Sequence, residues 1–113
     1  MRQPHQTGKL AEWICILRLW LSAWRILAIR WRCPSGEIDL IASRGKLVTF
    51  IEVKARKSHD DAIASISATQ QQRITRAASL WVAKNPQYAG HDLRFDVMSV
   101  SIWPWPKRHA NAF

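Results

Sequence analysis

The sequence predicts a single α/β domain whose elements run helix, strand, strand, strand, helix, strand. Three observations carry that prediction: two period-two segments joined by a short polar turn, an apolar stripe at helical spacing before them, and a second helical stripe behind a capping signal. At 113 residues the chain has room for one modest core and not for two. The domain is assigned to residues 8–102, and residues 103–113 form a basic Trp/Pro tail.

Met1 to Thr7 reads as a loose polar lead. From Gly8 to Ser22, the residues Leu10, Trp13, Ile14, Leu17, Trp20 and Leu21 recur at steps of three and four. They are expected to form the buried face of an amphipathic helix, with Arg18 outside it. Trp24 to Trp31 reads as the first strand and Cys33-Pro34-Ser35-Gly36 as the turn after it.

The second and third strands, around Gly36-Glu37-Ile38-Asp39-Leu40-Ile41 and Phe50-Ile51-Glu52-Val53-Lys54, alternate in period two across the turn Ser43-Arg44-Gly45-Lys46. With the tip at Arg44-Gly45, Ile41 falls opposite Val48, Asp39 opposite Phe50 and Glu37 opposite Glu52, so the three acids share a face. Ile38, Leu40, Thr49, Ile51 and Val53 make an apolar reverse side. The segment from His59 to Ala68 reads as an ordered loop or short helical turn. A helix begins at Thr69, taken as N-cap with Gln72 as its capping-box partner, and ends at Asn85-Pro86. Its core stripe is Ile74, Ala77, Ala78, Trp81 and Val82, and Gln70 shares that inward side. Leu93 to Ile102 is the last strand.

Cross-strand neighbours lie about 5–8 Å apart at Cβ, near enough for Asp39 and Glu52 to hold one cation. Carboxylate oxygens suit hard divalent ions, so Mg²⁺ or Mn²⁺ is the expected cofactor, with the Val53 carbonyl as a further ligand. Lys54 then faces the same point, placed to orient water or to offset charge in a transition state. Glu37 is either a third ligand or the partner that holds Lys54. The competing reading is a solvated strand with a Glu52–Lys54 ion pair.

Seventeen basic against eight acidic residues give a formal charge of +9, which indicates a polyanionic partner. Nucleic acid is expected, DNA ahead of RNA, with Arg44, Lys46, Arg56, Lys57 and Arg73 as the contacting cations. Three of the eight acids fall between Glu37 and Glu52, so an anionic pocket sits on a cationic body. That combination suits phosphodiester cleavage, in which the body attracts the backbone and the pocket holds the metal. Cys15 and Cys33 lack Cys-x-x-Cys spacing and no histidine stands at ligand spacing, which argues against a zinc site or a disulfide framework and for a reducing, cytoplasmic setting. The apolar run from Trp13 to Ile29 is interrupted by Arg18 and Arg25 and reads as helix plus strand, not as a membrane span. Among the tryptophans, Trp13, Trp20 and Trp81 are assigned to packing, Trp103 and Trp105 to possible base stacking. Asp96 is assigned a structural role, partnered with Arg94 or another arginine.

Asp39, Glu52 and Lys54 in this order resemble the motif of the restriction-endonuclease-like superfamily, an aspartate followed by Glu or Asp, any residue, and lysine. Ile38 stands where that motif usually has proline. Gly36 to Ile41, Ile51-Glu52-Val53-Lys54 with Arg56 after it, Gly8, Ala11-Glu12 and Arg94-Phe95-Asp96-Val97 together resemble the YraN-like family of small bacterial proteins, from Gly8 to Val100. The resemblance implies a mixed central sheet flanked by helices and a nuclease-like site. It also implies that Glu12 reaches the pocket from the first helix, and that Gln70, to orient water or touch phosphate, replaces a residue that is often lysine, with Gln71 as its alternate. A homodimer is compatible with this reading, since cutting a duplex takes two sites. The rival is a binding or scaffold module of the same fold with little chemistry, and a third reading is a membrane-surface protein.

Overall fold

The computed structural model describes residues 4–55, 66–100 and 107–110, with side chains from residue 10 to 55, from 66 to 100, and at 110. Its elements are α1 (Pro4–Leu21), β1 (Arg25–Cys33), β2 (Gly36–Arg44), β3 (Leu47–Ala55), α2 (Ala68–Lys84), a 3₁₀ turn (Pro86–Tyr88), β4 (Asp92–Val100) and β5 (Lys107–His109). The strands form one sheet in the order β1-β2-β3-β4-β5. All neighbours are antiparallel except β3 and β4, so the sheet is mixed. The parallel pair is the one that spans a crossover, in which α2 carries the chain back to the starting edge.

Each side of the sheet is covered by a helix. On one, Ile38, Ile41, Val48 and Phe50 pack against Ile74, Ala77, Ala78 and Trp81 of α2. On the other, Leu40, Ala42, Ile51 and Met98 pack against Cys15 and Leu19 of α1 and against Trp24. The centre of the first cluster is aromatic: Phe50 meets the edge of Trp81 at 5.9 Å and stacks on Phe95 at 5.4 Å.

Several local expectations are corrected. The β2–β3 turn is Gly45-Lys46, closed by the Arg44–Leu47 pair, so Ile41 lies opposite Phe50 and Ser43 opposite Val48. Gly45 takes the left-handed conformation, φ 59°, which places it as the first residue of a two-residue hairpin turn. The slip from the expected register is two residues, and an even slip leaves every side chain on its own face. Ile38, expected on the reverse side with Leu40, packs with Ile41 on the α2 side. The alternation of β2 breaks around Asp39, facing the point in β1 where Arg30 adopts φ 52° between the Ile29–Leu40 and Trp31–Ile38 pairs.

The N-cap of α2 is Ser67, whose hydroxyl accepts from the Gln70 N–H at 3.1 Å, and Thr69 lies inside the first turn. The largest correction concerns α1, which begins at Pro4 and turns its expected core stripe outward. Ala11, Glu12, Cys15 and Leu19 are buried, while Leu10, Trp13, Leu17, Trp20 and Leu21 are exposed. The helix is apolar nearly all round, so periodicity offers two candidate faces, and the sheet accepts the one with the smaller residues. Trp13 and Trp20 are therefore not core residues. Trp81 is.

α1 ends in a Schellman arrangement, with Trp24 N–H donating to Leu19 O at 2.9 Å and Ala23 N–H to Trp20 O at 3.1 Å. Ala23 holds the left-handed position, φ 65°. That bend drops Trp24 into the core, where the expected first strand had begun; β1 starts one residue later. Arg44 lies 4.5 Å above the Trp24 ring and donates to Ser22 O at 3.2 Å. Asp96, fully buried in β4, takes both arms of Arg94 at 2.8 Å, the structural partnership expected for it. Residues 107–109, placed in the tail by the sequence, add the short strand β5 along β4. Residues 56–65, which hold most of the segment expected as an ordered loop or short helical turn, lie outside the described residues, as do Trp103 and Trp105. Among the described residues no helix is long and apolar enough to cross a membrane.

Candidate functional site

The site lies where β2 leaves β3. Their pairing runs from Arg44–Leu47 to Leu40–Ile51 and stops, while β3 continues to Ala55 paired with β4 alone. A strand edge opened in this way leaves backbone groups in need of partners. Asp39 answers one of them, accepting the Val53 N–H on Oδ2 at 2.8 Å. Its carboxyl group also hydrogen-bonds that of Glu52, the next outward residue of β3.

Two carboxyl groups in contact and largely out of water cannot both stay ionised cheaply. Burial pushes Glu52 up to about 9, and the charge and hydrogen bond of Asp39 push the same way against the Lys54 ammonium. Asp39 is raised as well, chiefly by burial, with the Val53 N–H and Glu52 pulling it back. The stable form without a cation is thus a pair sharing one proton. Lys54 Nζ stands 3.8 Å from Glu52 Oε1, both side chains being largely buried.

The pair opens into a cavity of about 410 Å³ lined by Gly36, Glu37, Asp39, Glu52, Ser67, Thr69, Gln70, Arg73 and Ile74. The wall opposite the acids is the amino-terminal turn of α2, the positive end of the helix dipole, which favours anions and carries no acidic residue. Gly36 holds this wall close: a Cβ there would lie 3.5 Å from the Arg73 Cβ, and its φ of 153° suits glycine.

The structure brings Glu37, Asp39, Glu52, Gln70 and Arg73 to one cavity and sets Lys54 beside Glu52. Glu37 reaches Arg32 Nε at 3.5 Å across an exposed surface, a weak pairing. Glu12 arrives from α1 but is taken by Arg30, whose Nε donates to Oε1 at 2.5 Å. Burial raises the Glu12 pKa, Arg30 opposes the rise, and Asp39 and Glu37 add to it, so Glu12 feels the site without entering it. Among the described residues no three His, Cys, Asp or Glu side chains gather as a metal-holding group. Arg44 sits at the turn end of the hairpin, about 16 Å from Asp39 at 3.3 Å per residue, and Lys46 lies beyond it in the turn. Arg56 and Lys57 lie outside the described residues.

Ser67 and Thr69 were not anticipated at the site. The signal for them is the Ser67-x-x-Gln70 capping pattern, two residues ahead of Thr69-x-x-Gln72. No sequence signal joins Arg30 to Glu12, eighteen residues apart. Cys15 and Cys33 are free thiols, and burial pushes Cys15 up to about 12, which makes it unreactive.

A family model described as "Uncharacterised protein family UPF0102" matches residues 11–100. The UPF0102 protein of Sinorhizobium medicae (strain WSM419) is 44% identical over 106 residues, 94% of this chain and 87% of that one. That of Rhodopseudomonas palustris (strain BisB5) is 48% identical over 108 residues, 96% and 82% of the two chains. That of Chelativorans sp. (strain BNC1) is 42% identical over 112 residues, 99% and 90%. The matched span runs from the buried face of α1 to the end of β4 and takes in every residue of the acidic cavity, and with identities of this size over nearly the full length the chain belongs to the uncharacterised protein family UPF0102, the YraN-like family that its motifs resemble.

Proposed function

We propose that this protein is a nucleic-acid-binding, divalent-metal-dependent phosphodiester hydrolase with a restriction-endonuclease-like core. The observation that carries the reading is the hydrogen-bonded Asp39–Glu52 pair at the fork between β2 and β3, facing the amino-terminal end of α2 across an open cavity. The donor set fits a hard cation: two carboxylates too close to be ionised together are relieved when a divalent ion replaces their shared proton, and Mg²⁺ commonly takes only one or two protein carboxylates. Asp39 and Glu52 would hold the ion, with the Val53 carbonyl as a further donor and Glu37 and Glu12 tuning the field from outside. When bound, Mg²⁺ or Mn²⁺ supplies the positive charge that offsets the charge gathering on the phosphate.

The remaining work falls to the chain's own groups. Lys54, beside Glu52, offers its ammonium to a phosphate oxygen. Gln70 presents an amide from the first turn of α2, able to orient a water or accept contact from the backbone of the substrate. Arg73 and the N–H groups of that turn draw the phosphate toward the acids. The net charge of +9 attracts the polyanion from a distance.

Metal titration of cleavage on duplex, single-stranded and branched substrates tests the reading, with Asp39→Ala and Glu52→Ala as controls. Metal-dependent activity that both substitutions abolish is expected; equal activity in wild type and variants means a contaminant. One feature favours a binding module without chemistry: Glu52 already has Lys54 at 3.8 Å, and the α2 position facing it is the neutral Gln70. That version binds nucleic acid in a salt-sensitive way, cuts nothing, and shows no Mg²⁺ or Mn²⁺ uptake by calorimetry.

A further inference from the structure

Helix α1 has two apolar faces and the fold uses one of them. Ala11, Cys15 and Leu19 are buried against the sheet, whereas Leu10, Trp13, Leu17, Trp20 and Leu21 stand 54, 63, 47, 70 and 64% exposed. Leu10, Trp13, Leu17 and Trp20 follow one another at steps of three, four and three, which is the seam of a helix that packs along another helix, and Leu21 flanks it. Taking about 250 Å² for a tryptophan and less for a leucine, the strip presents on the order of 500–600 Å² of apolar surface, the upper end of what a monomer leaves in one patch.

We propose that this seam is the interface of a homodimer in which α1 packs against α1 of a second copy. Two strips meeting about a two-fold axis cover roughly 1,000–1,200 Å² in all, the size at which specific association begins. A groove of about 620 Å³, lined by Ile16, Trp20, Trp24 and Ile26 among others, continues the strip past the end of α1. It provides the recess that a self-complementary surface needs opposite its protruding side chains. A membrane surface fits the strip less well. Helices that lie on acidic bilayers carry lysine and arginine across the face opposite their apolar one. Here that face is Ala11, Glu12, Cys15 and Leu19, buried in the protein's own core. The acidic cavity opens on the α2 side of the sheet, so pairing through α1 leaves both cavities accessible.

Sedimentation equilibrium of the full chain across the micromolar range tests the interface. The expected mass rises with concentration from 13.0 kDa toward twice that value. Leu17→Glu should weaken association by about 30-fold or more while leaving the circular dichroism spectrum unchanged and removing the concentration dependence of the melting temperature. Trp13→Glu serves as a second variant should the first fail to fold. A mass that stays monomeric throughout overturns the proposal, as does a dimer that both substitutions leave intact. Two further results overturn it and name another occupant: a monomer that floats with phosphatidylserine vesicles through Trp13 and Trp20, or one whose tryptophans are shielded from a collisional quencher by the rest of its own chain.

Discussion

The carboxyl group of Asp39 hydrogen-bonds that of Glu52 at the point where β2 parts from β3, and burial with mutual repulsion makes the pair hold a proton well above the usual carboxylate range. The pair is held from both sides: Asp39 by the Val53 N–H, Glu52 by its place on a strand whose preceding residues are fully buried.

Stability without metal should fall as the solution becomes more basic. Folded Glu52 retains its proton well above the usual carboxylate range and the unfolded chain does not, so the native state binds more protons across that window. The contribution is complete below the usual carboxylate range and is lost as the pH rises through about 9. Unfolding free energies from urea titrations at about pH 6 and pH 9 should differ by an amount on the order of a few kcal/mol, shared by the coupled pair. Glu52→Gln should flatten the slope; an unchanged slope places the titration elsewhere.

Divalent metal should reverse that trend. An ion that replaces the shared proton binds the native state alone and stabilises it, by about 2.7 kcal/mol at a hundredfold excess over Kd. Melting temperature should therefore rise with Mn²⁺ or Mg²⁺ above neutral pH, and rise less in acid, where the proton competes. Asp39→Asn should abolish the shift.

Arg73 and Arg44 should part company in binding assays. Arg73 lines the acidic cavity, so Arg73→Ala should lower affinity for DNA at all sequences and reduce the salt slope by about one. Arg44 is occupied over Trp24 at the far end of the hairpin, so Arg44→Ala should cost about 0.5–1 kcal/mol of stability with a smaller change in salt slope. Equal loss of slope in both variants would show that the whole basic surface binds without regard to the cavity.

Ala23→Gly should stabilise the fold. Ala23 sits at φ 65° in the position after α1 where glycine avoids a steric cost, and the gain net of chain entropy is about 0.5–1 kcal/mol. A lower denaturation midpoint would contradict this account of the α1 end.

Asp96→Ala should do the opposite. It removes a fully buried carboxylate from the two-armed grip of Arg94 and leaves that guanidinium, 23% exposed, without its main partner, at a cost of about 3 kcal/mol. Any cleavage activity, expressed per folded molecule, should survive, because Asp96 is placed in the packing and not in the cavity.

The α/β order, the hairpin and the acids converging on one cavity were legible in the sequence, because period-two alternation assigns faces and an even error in register does not move a side chain across the sheet. Glu52 and Lys54 share a face for that reason, Asp39 reaches them although the alternation of β2 breaks beside it, Gln70 comes from the first turn of α2, and Asp96 takes Arg94 out of the arginines open to it. What the sequence could not decide was set by partners distant in the chain. Glu12 belongs to Arg30 because a left-handed residue in β1 turns that guanidinium toward α1. Arg44 belongs to Trp24 because the end of α1 bends the chain under the hairpin. The face that α1 buries could not be read locally, since a helix apolar on nearly every side has no preferred face until a sheet offers space for alanine and cysteine but not for tryptophan.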